Sequence, residues 1–84
     1  MSVRDTNKYL LLRGNKVVYI GTTNDMARRE IEHRASGKEF TNMVKVGNIT
    51  TADAASRWET ERIHTYKVNH GGARPEYNLN DSGK

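Results

Sequence analysis

Two short apolar runs, Lys8-Tyr9-Leu10-Leu11-Leu12-Arg13 and Lys16-Val17-Val18-Tyr19-Ile20, flank Gly14-Asn15. This arrangement constrains the chain more than any other feature. Each run has the length and composition of a strand, and Gly-Asn is turn chemistry, so the pair reads as a β-hairpin. Whatever else the chain forms has to pack on that hairpin.

The segments that follow supply the packing partners. Residues 1–7 are polar and read as a loose lead-in. Thr22-Thr23-Asn24-Asp25 offers helix-capping side chains ahead of 26–35, a helix of about three turns stopped near Gly37. Ala27, Ile31 and Ala35 recur at helical spacing and are its expected buried stripe. Residues 38–42 read as a loop, and Met43 to Ile49 alternates well enough for a third strand. Thr50 or Thr51 can cap a second helix running to about Lys67. His70 to Pro75 is a loop, and Glu76-Tyr77-Asn78-Leu79 reads as a short extended end. The predicted class is α+β, in the order β-β-α-β-α: a small three-stranded antiparallel or mixed sheet with flanking helices.

Composition sets limits on function. With 84 residues there is room for one domain, taken as 1–84 with an ordered core of about 7–79. Leu, Ile, Val and Phe together number only 15, so the core is thin. The absence of cysteine excludes disulfides, thiol catalysis and thiolate zinc sites. No run is long and apolar enough to span a bilayer, and Met1-Ser2-Val3-Arg4-Asp5 has no apolar signal core, so a cytoplasmic setting is expected. A net charge of +4 suits a polyanionic partner.

Against that thin core, one residue is out of place. Helical geometry puts Ala52, Ala55, Ile63 and Tyr66 within about 40° of Glu59, so a carboxylate occupies the centre of the apolar stripe, while Glu61 falls on the polar side. Burying that charge costs several kcal/mol unless it is paired, protonated or metal-bound. A structural ion pair with Arg62, Arg29 or Arg74 is one reading, and a metal or catalytic role is the other. On the first helix, Arg29 and His33 are four apart and project together, opposite the apolar stripe. The hairpin carries one phenol per strand, Tyr9 and Tyr19.

Taken together, these residues form a pattern. Tyr19-Ile20-Gly21 closes the hairpin, Arg29 and His33 follow at set spacing, Glu59 sits between Ala55 and Ile63, and Arg74-Pro75-Glu76-Tyr77-Asn78 comes last. The combination resembles the GIY-YIG endonuclease family over about residues 7–79. The resemblance implies metal-dependent hydrolysis of DNA phosphodiester bonds, with Tyr9, Tyr19, Arg29, His33 and Glu59 as the catalytic set. In that scheme tyrosine or histidine assists the attacking water, and Arg29 suits a phosphoryl oxygen gaining charge. Glu59 is the single carboxylate for one Mg²⁺ or Mn²⁺, and Asn78 is a supporting residue. DNA is then the partner through its phosphate backbone, with Lys16, Arg28, Arg34, Lys38 and Arg62 as expected contacts. No recognition helix is visible, so a second copy of the chain or a recruiting protein is the expected source of any sequence preference. A catalytically weak DNA-binding module of the same fold is the competing reading.

The chain departs from the family pattern in three places. Asn7-Lys8 precede Tyr9 where the family has Gly-Ile, Thr22 stands where repair nucleases carry lysine, and the stretch from Glu59 to Tyr77 is longer than in compact relatives, owing to the His70-Gly71-Gly72 loop. The hairpin poses a geometric condition as well. A regular two-residue turn at Gly14-Asn15 would set Leu10 opposite Tyr19 and send the two tyrosines to opposite faces. A shared site therefore requires a three-residue loop or a β-bulge.

Overall fold

The expected hairpin is formed by β1 (Arg4–Arg13) and β2 (Lys16–Thr23) in a computed structural model that describes residues 4–78. The turn is the regular two-residue one: Arg13 pairs with Lys16, and Gly14 takes a φ of 63°. The irregularity comes next. Leu12 pairs with Val17, but Leu11 pairs with Tyr19, which leaves Val18 as the extra residue of a β-bulge. The shift brings Tyr9 and Tyr19 to one face of the sheet, where their rings stack with centroids 6.0 Å apart.

Helix α1 (Met26–Ala35) is capped by Asp25, whose side chain accepts from the Arg28 backbone N–H. Strand β3 (Asn42–Lys45) lies antiparallel to β1 on the side away from β2. A two-residue strand, β4 (Thr50–Thr51), pairs with the start of β1 at Arg4 and Thr6. Helix α2 (Ala52–Asn69) follows at once, with the Thr51 hydroxyl accepting from Ala54 N–H.

Four expectations need correction. The sheet has four antiparallel strands rather than three, in the order β-β-α-β-β-α, because Gly47 (φ 64°) ends the run from Met43 early and Thr50-Thr51 then pair separately. Residues 4–7 are strand, not a loose lead-in, since Thr6 and Asn7 find partners in β4 and β2. Residues 76–77 form a turn rather than an extended end, and Leu79 lies outside the described residues. The buried side of α1 is the opposite of the one expected: Ala27, Ile31 and Ala35 are exposed, and His33 is the buried residue. The sheet face beneath α1 is made of phenols, so a side chain that can hydrogen-bond a hydroxyl docks there better than alanine or isoleucine.

The sheet is covered on both faces. Tyr9, Leu11, Val18 and Tyr19 pack on one face with Phe40, joined by Met26 of α1, Met43 and Tyr77. Leu10 and Ile20 pack on the other with Ile63 of α2, joined by Leu12, Val17, Val46, Trp58 and Tyr66. Fully burying a side chain such as Leu11, Ile20 or Ile63 contributes about 1.5–3 kcal/mol, and Ala55 and Ile63 complete the α2 stripe as expected. Among the described residues no helix is long and apolar enough to cross a membrane.

Candidate active site

The site begins with the bulged hairpin. Tyr9 and Tyr19 share a face because of Val18, and Gly21, directly opposite Tyr9, leaves room for both rings. A Cβ on Gly21 would fall 2.5 Å from Tyr19 Cε1 and 2.7 Å from Tyr9 Oη. The glycine after Tyr19-Ile20 is thus needed for space between two phenols.

Helix α1 brings His33 down onto this pair. Tyr9 Oη lies 2.6 Å from His33 Nε2, and the His33 ring stands edge-on to Tyr19 at 4.9 Å. Arg29, one turn earlier on α1, lies beside the phenols of Tyr9 and Tyr19 and pairs with Glu32 at 3.1 Å. Four of the five predicted catalytic residues therefore meet at one place. Tyr9 and His33 are 0% and 1% exposed and form the inner layer, while Arg29 is half-buried and reaches solvent.

The electrostatics follow from that layering. Burial, reinforced by Tyr19, pushes the Tyr9 phenol well above its ordinary value, so Tyr9 stays protonated. Burial, then the charges of Arg29 and Lys38, push His33 down to about 4, so its imidazole is neutral at pH 7. In the tautomer protonated at Nδ1, Nε2 accepts the Tyr9 hydroxyl proton. Burial works against the Arg29 charge, but hydrogen bonds to Tyr9 and Glu32 outweigh it and hold the guanidinium more firmly protonated than usual.

Glu59 is 1% exposed, one turn before Ile63 on α2. That helix lies on the sheet face of Leu10 and Ile20, so Glu59 approaches the sheet from the side opposite His33. Among the described residues there is no group of three or more His, Asp or Glu placed to hold a metal. Both Glu59 carboxylate oxygens are closed off from solvent, so a hard cation such as Mg²⁺ held by this lone carboxylate would need water and phosphate oxygens to reach it. Glu61 is exposed, as its place on the polar side predicted.

Asn78 supports the site through the backbone. Its side chain accepts from the Ile20 N–H and donates to the Ile20 carbonyl, both at 2.9 Å. Tyr77 N–H donates to Val18 O at 2.8 Å, and Arg13 grips Glu76 with two hydrogen bonds. The segment thus covers the open edge of β2 on both sides of Tyr19.

The predicted DNA contacts divide. Arg34 stacks over Phe40 at 4.4 Å and Lys38 sits over Tyr19 at 5.7 Å, both close to the tyrosine site. Arg28 is exposed on α1, held to Asn24. Lys16 is at the hairpin turn near Glu76, and Arg62 lines a cleft of about 230 Å³ with Val17, Ile20 and Tyr66 on the α2 side, away from the others. Sequence reasoning treated Lys38 as a general DNA contact and missed its place at the site. The signal was Gly37: at φ 85° it ends α1 and returns Lys38 toward the sheet.

Compared with family models, with curated proteins and with solved structures, the chain gives no match in any of the three.

Proposed function

We propose that the protein is a metal-dependent endonuclease that hydrolyses phosphodiester bonds in DNA, as its resemblance to the GIY-YIG family implies. The observation that carries this reading is the 2.6 Å contact between Tyr9 Oη and His33 Nε2 under the Tyr19 ring, with Arg29 beside both phenols. A purely structural core has little reason to bury a phenol and a neutral imidazole in contact beside a guanidinium, since the buried pair must be desolvated.

The arrangement favours a relay over a standing phenolate. Tyr9 has no exposed surface, so substrate water does not reach it directly. Tyr19 keeps a small opening to solvent, and its ring stacks against that of Tyr9. As water oxygen bonds to phosphorus, its proton passes to Tyr19 Oη, the Tyr19 proton to Tyr9 Oη, and the Tyr9 proton to neutral His33 Nε2. The bond from phosphorus to the leaving deoxyribose oxygen breaks, and that oxygen takes a proton from solvent. Arg29 faces the phosphoryl oxygens as they gain charge. Glu59 would hold Mg²⁺ or Mn²⁺, which supplies Lewis-acid stabilisation when bound.

The approach of Glu59 from the other sheet face favours a second reading, a DNA-binding module of this fold in which Glu59 is structural. Incubation with supercoiled plasmid and Mg²⁺ separates the two. The enzyme reading expects nicked circles from the wild type and none from Glu59→Gln, with DNA affinity retained. Salt-sensitive binding without Mg²⁺-dependent nicking would overturn it in favour of the module.

A further inference from the structure

The end of α1 sets a second cation beside the phenols. Gly37 N–H donates to Arg34 O at 3.2 Å and Lys38 N–H to His33 O at 3.3 Å, the paired bonds of a glycine-terminated helix. This closure fixes the Lys38 backbone one step beyond the helix. Its side chain then runs back over the site: Nζ donates to Ser36 Oγ at 3.1 Å and stands 5.7 Å from the Tyr19 ring centre. Tyr19 is a phenol that Arg29 also lies beside.

We propose that Lys38 and Arg29 together form a phosphoryl-binding clamp over Tyr19. This rests on the endonuclease reading of the same site and adds to it the residue that holds the second non-bridging oxygen.

Three observations support the clamp. Arg29 and Lys38 are close enough that Arg29, after burial, pulls Lys38 below the ordinary lysine range. Only Glu32 is paired to either of them among the described ion pairs, and it takes Arg29 alone. Two neighbouring cations sharing one exposed carboxylate leave a positive field that an oxyanion relieves. The groups with charge or titration around His33 are Tyr9, Tyr19, Arg29, Glu32 and Lys38. An anion between Arg29 and Lys38 offsets the two charges that add to burial in lowering His33, so its proton affinity rises when a phosphate arrives. The relay then gains its acceptor only with substrate in place.

The test uses the full chain and inorganic phosphate, followed by NMR, beside the plasmid assay. Wild type should show saturable shifts at Arg29, Lys38 and Tyr19, and the His33 titration midpoint should rise with phosphate. Lys38→Gln should bind phosphate roughly tenfold more weakly, Lys38→Arg should retain most binding, and Arg57→Gln on the outer face of α2 should match wild type. In the plasmid assay Lys38→Gln should lower kcat more than it raises KM, with recovery in Lys38→Arg. Equal phosphate affinity in wild type and Lys38→Gln, or shifts that map away from Tyr19, would overturn the clamp even if the wild type nicks DNA. Absence of nicking by the wild type would overturn the endonuclease reading, and the phosphate titration would still decide the clamp.

Discussion

Replacing Gly21 with alanine adds one methyl group to the tightest place in the site. The new Cβ would lie 2.5 Å from Tyr19 Cε1, 2.7 Å from Tyr9 Oη and 2.9 Å from Tyr9 Cζ, whereas ordinary contact begins near 3.4 Å. The Tyr19 ring would have to retreat by roughly 0.9 Å and the Tyr9 hydroxyl by roughly 0.7 Å, displacements of the size that cost about 10²-fold in rate. Tyr9 has nowhere to go: it is fully buried, and its hydroxyl is fixed on His33 at 2.6 Å. Overpacking of this kind costs about 1–3 kcal/mol. Gly21→Ala should therefore lower the urea unfolding free energy by that amount and cut the nicking rate by about two orders of magnitude. The larger loss falls on rate because the methyl moves the reacting phenols themselves. A Gly21→Ala protein that nicks at the wild-type rate and loses under about 0.5 kcal/mol would refute the placement of both rings over this glycine.

Asn78→Ala strips the buried Ile20 N–H and C=O of their side-chain partners, and should cost about 2–4 kcal/mol in urea unfolding at one to two kcal/mol per group; a loss below about 1 kcal/mol would mean water replaces both bonds. His33 gives a pH signature. Its folded pKa of about 4 lies below the value of 6.5 for the unfolded chain, so the unfolded state binds the proton first. The contribution is full above about pH 6.5 and is lost as pH falls toward 4, a change on the order of 3 kcal/mol. Unfolding measured at several pH values should show a steeper fall for wild type than for His33→Gln, and parallel curves would contradict the buried neutral imidazole.

Much of this arrangement was readable before any coordinates, and the physical reasons differ by element. The hairpin was legible because Gly14-Asn15 and two apolar runs admit few alternatives, and the need for an irregularity followed from asking two phenols to share a face. The limits of α1 and α2 were legible from Asp25 and Thr51 as caps. The buried side of α1 was not. Ala27, Ile31 and Ala35 look like a packing stripe, but a helix docks on the surface it meets, and that surface ends in hydroxyls. β4 escaped notice because two threonines carry no periodicity, and its partner Arg4-Asp5-Thr6 is polar. At the site, Tyr9, Tyr19, Arg29 and His33 were legible as a set only through their spacing taken together, since each alone reads as ordinary packing or a solvated face. The separation of Glu59 from them depends on which sheet face α2 covers, and no local pattern encodes that.

The latch formed by Pro75 to Asn78 has a consequence for the order of events during synthesis. Asn78 closes on Ile20 across 58 residues of sequence. A nascent chain can close the hairpin as soon as Thr23 emerges, but β2 then presents bare N–H and C=O groups at Val18 and Ile20 until nearly the last described residue arrives. Through that interval the Tyr19 strand is an open template for another strand.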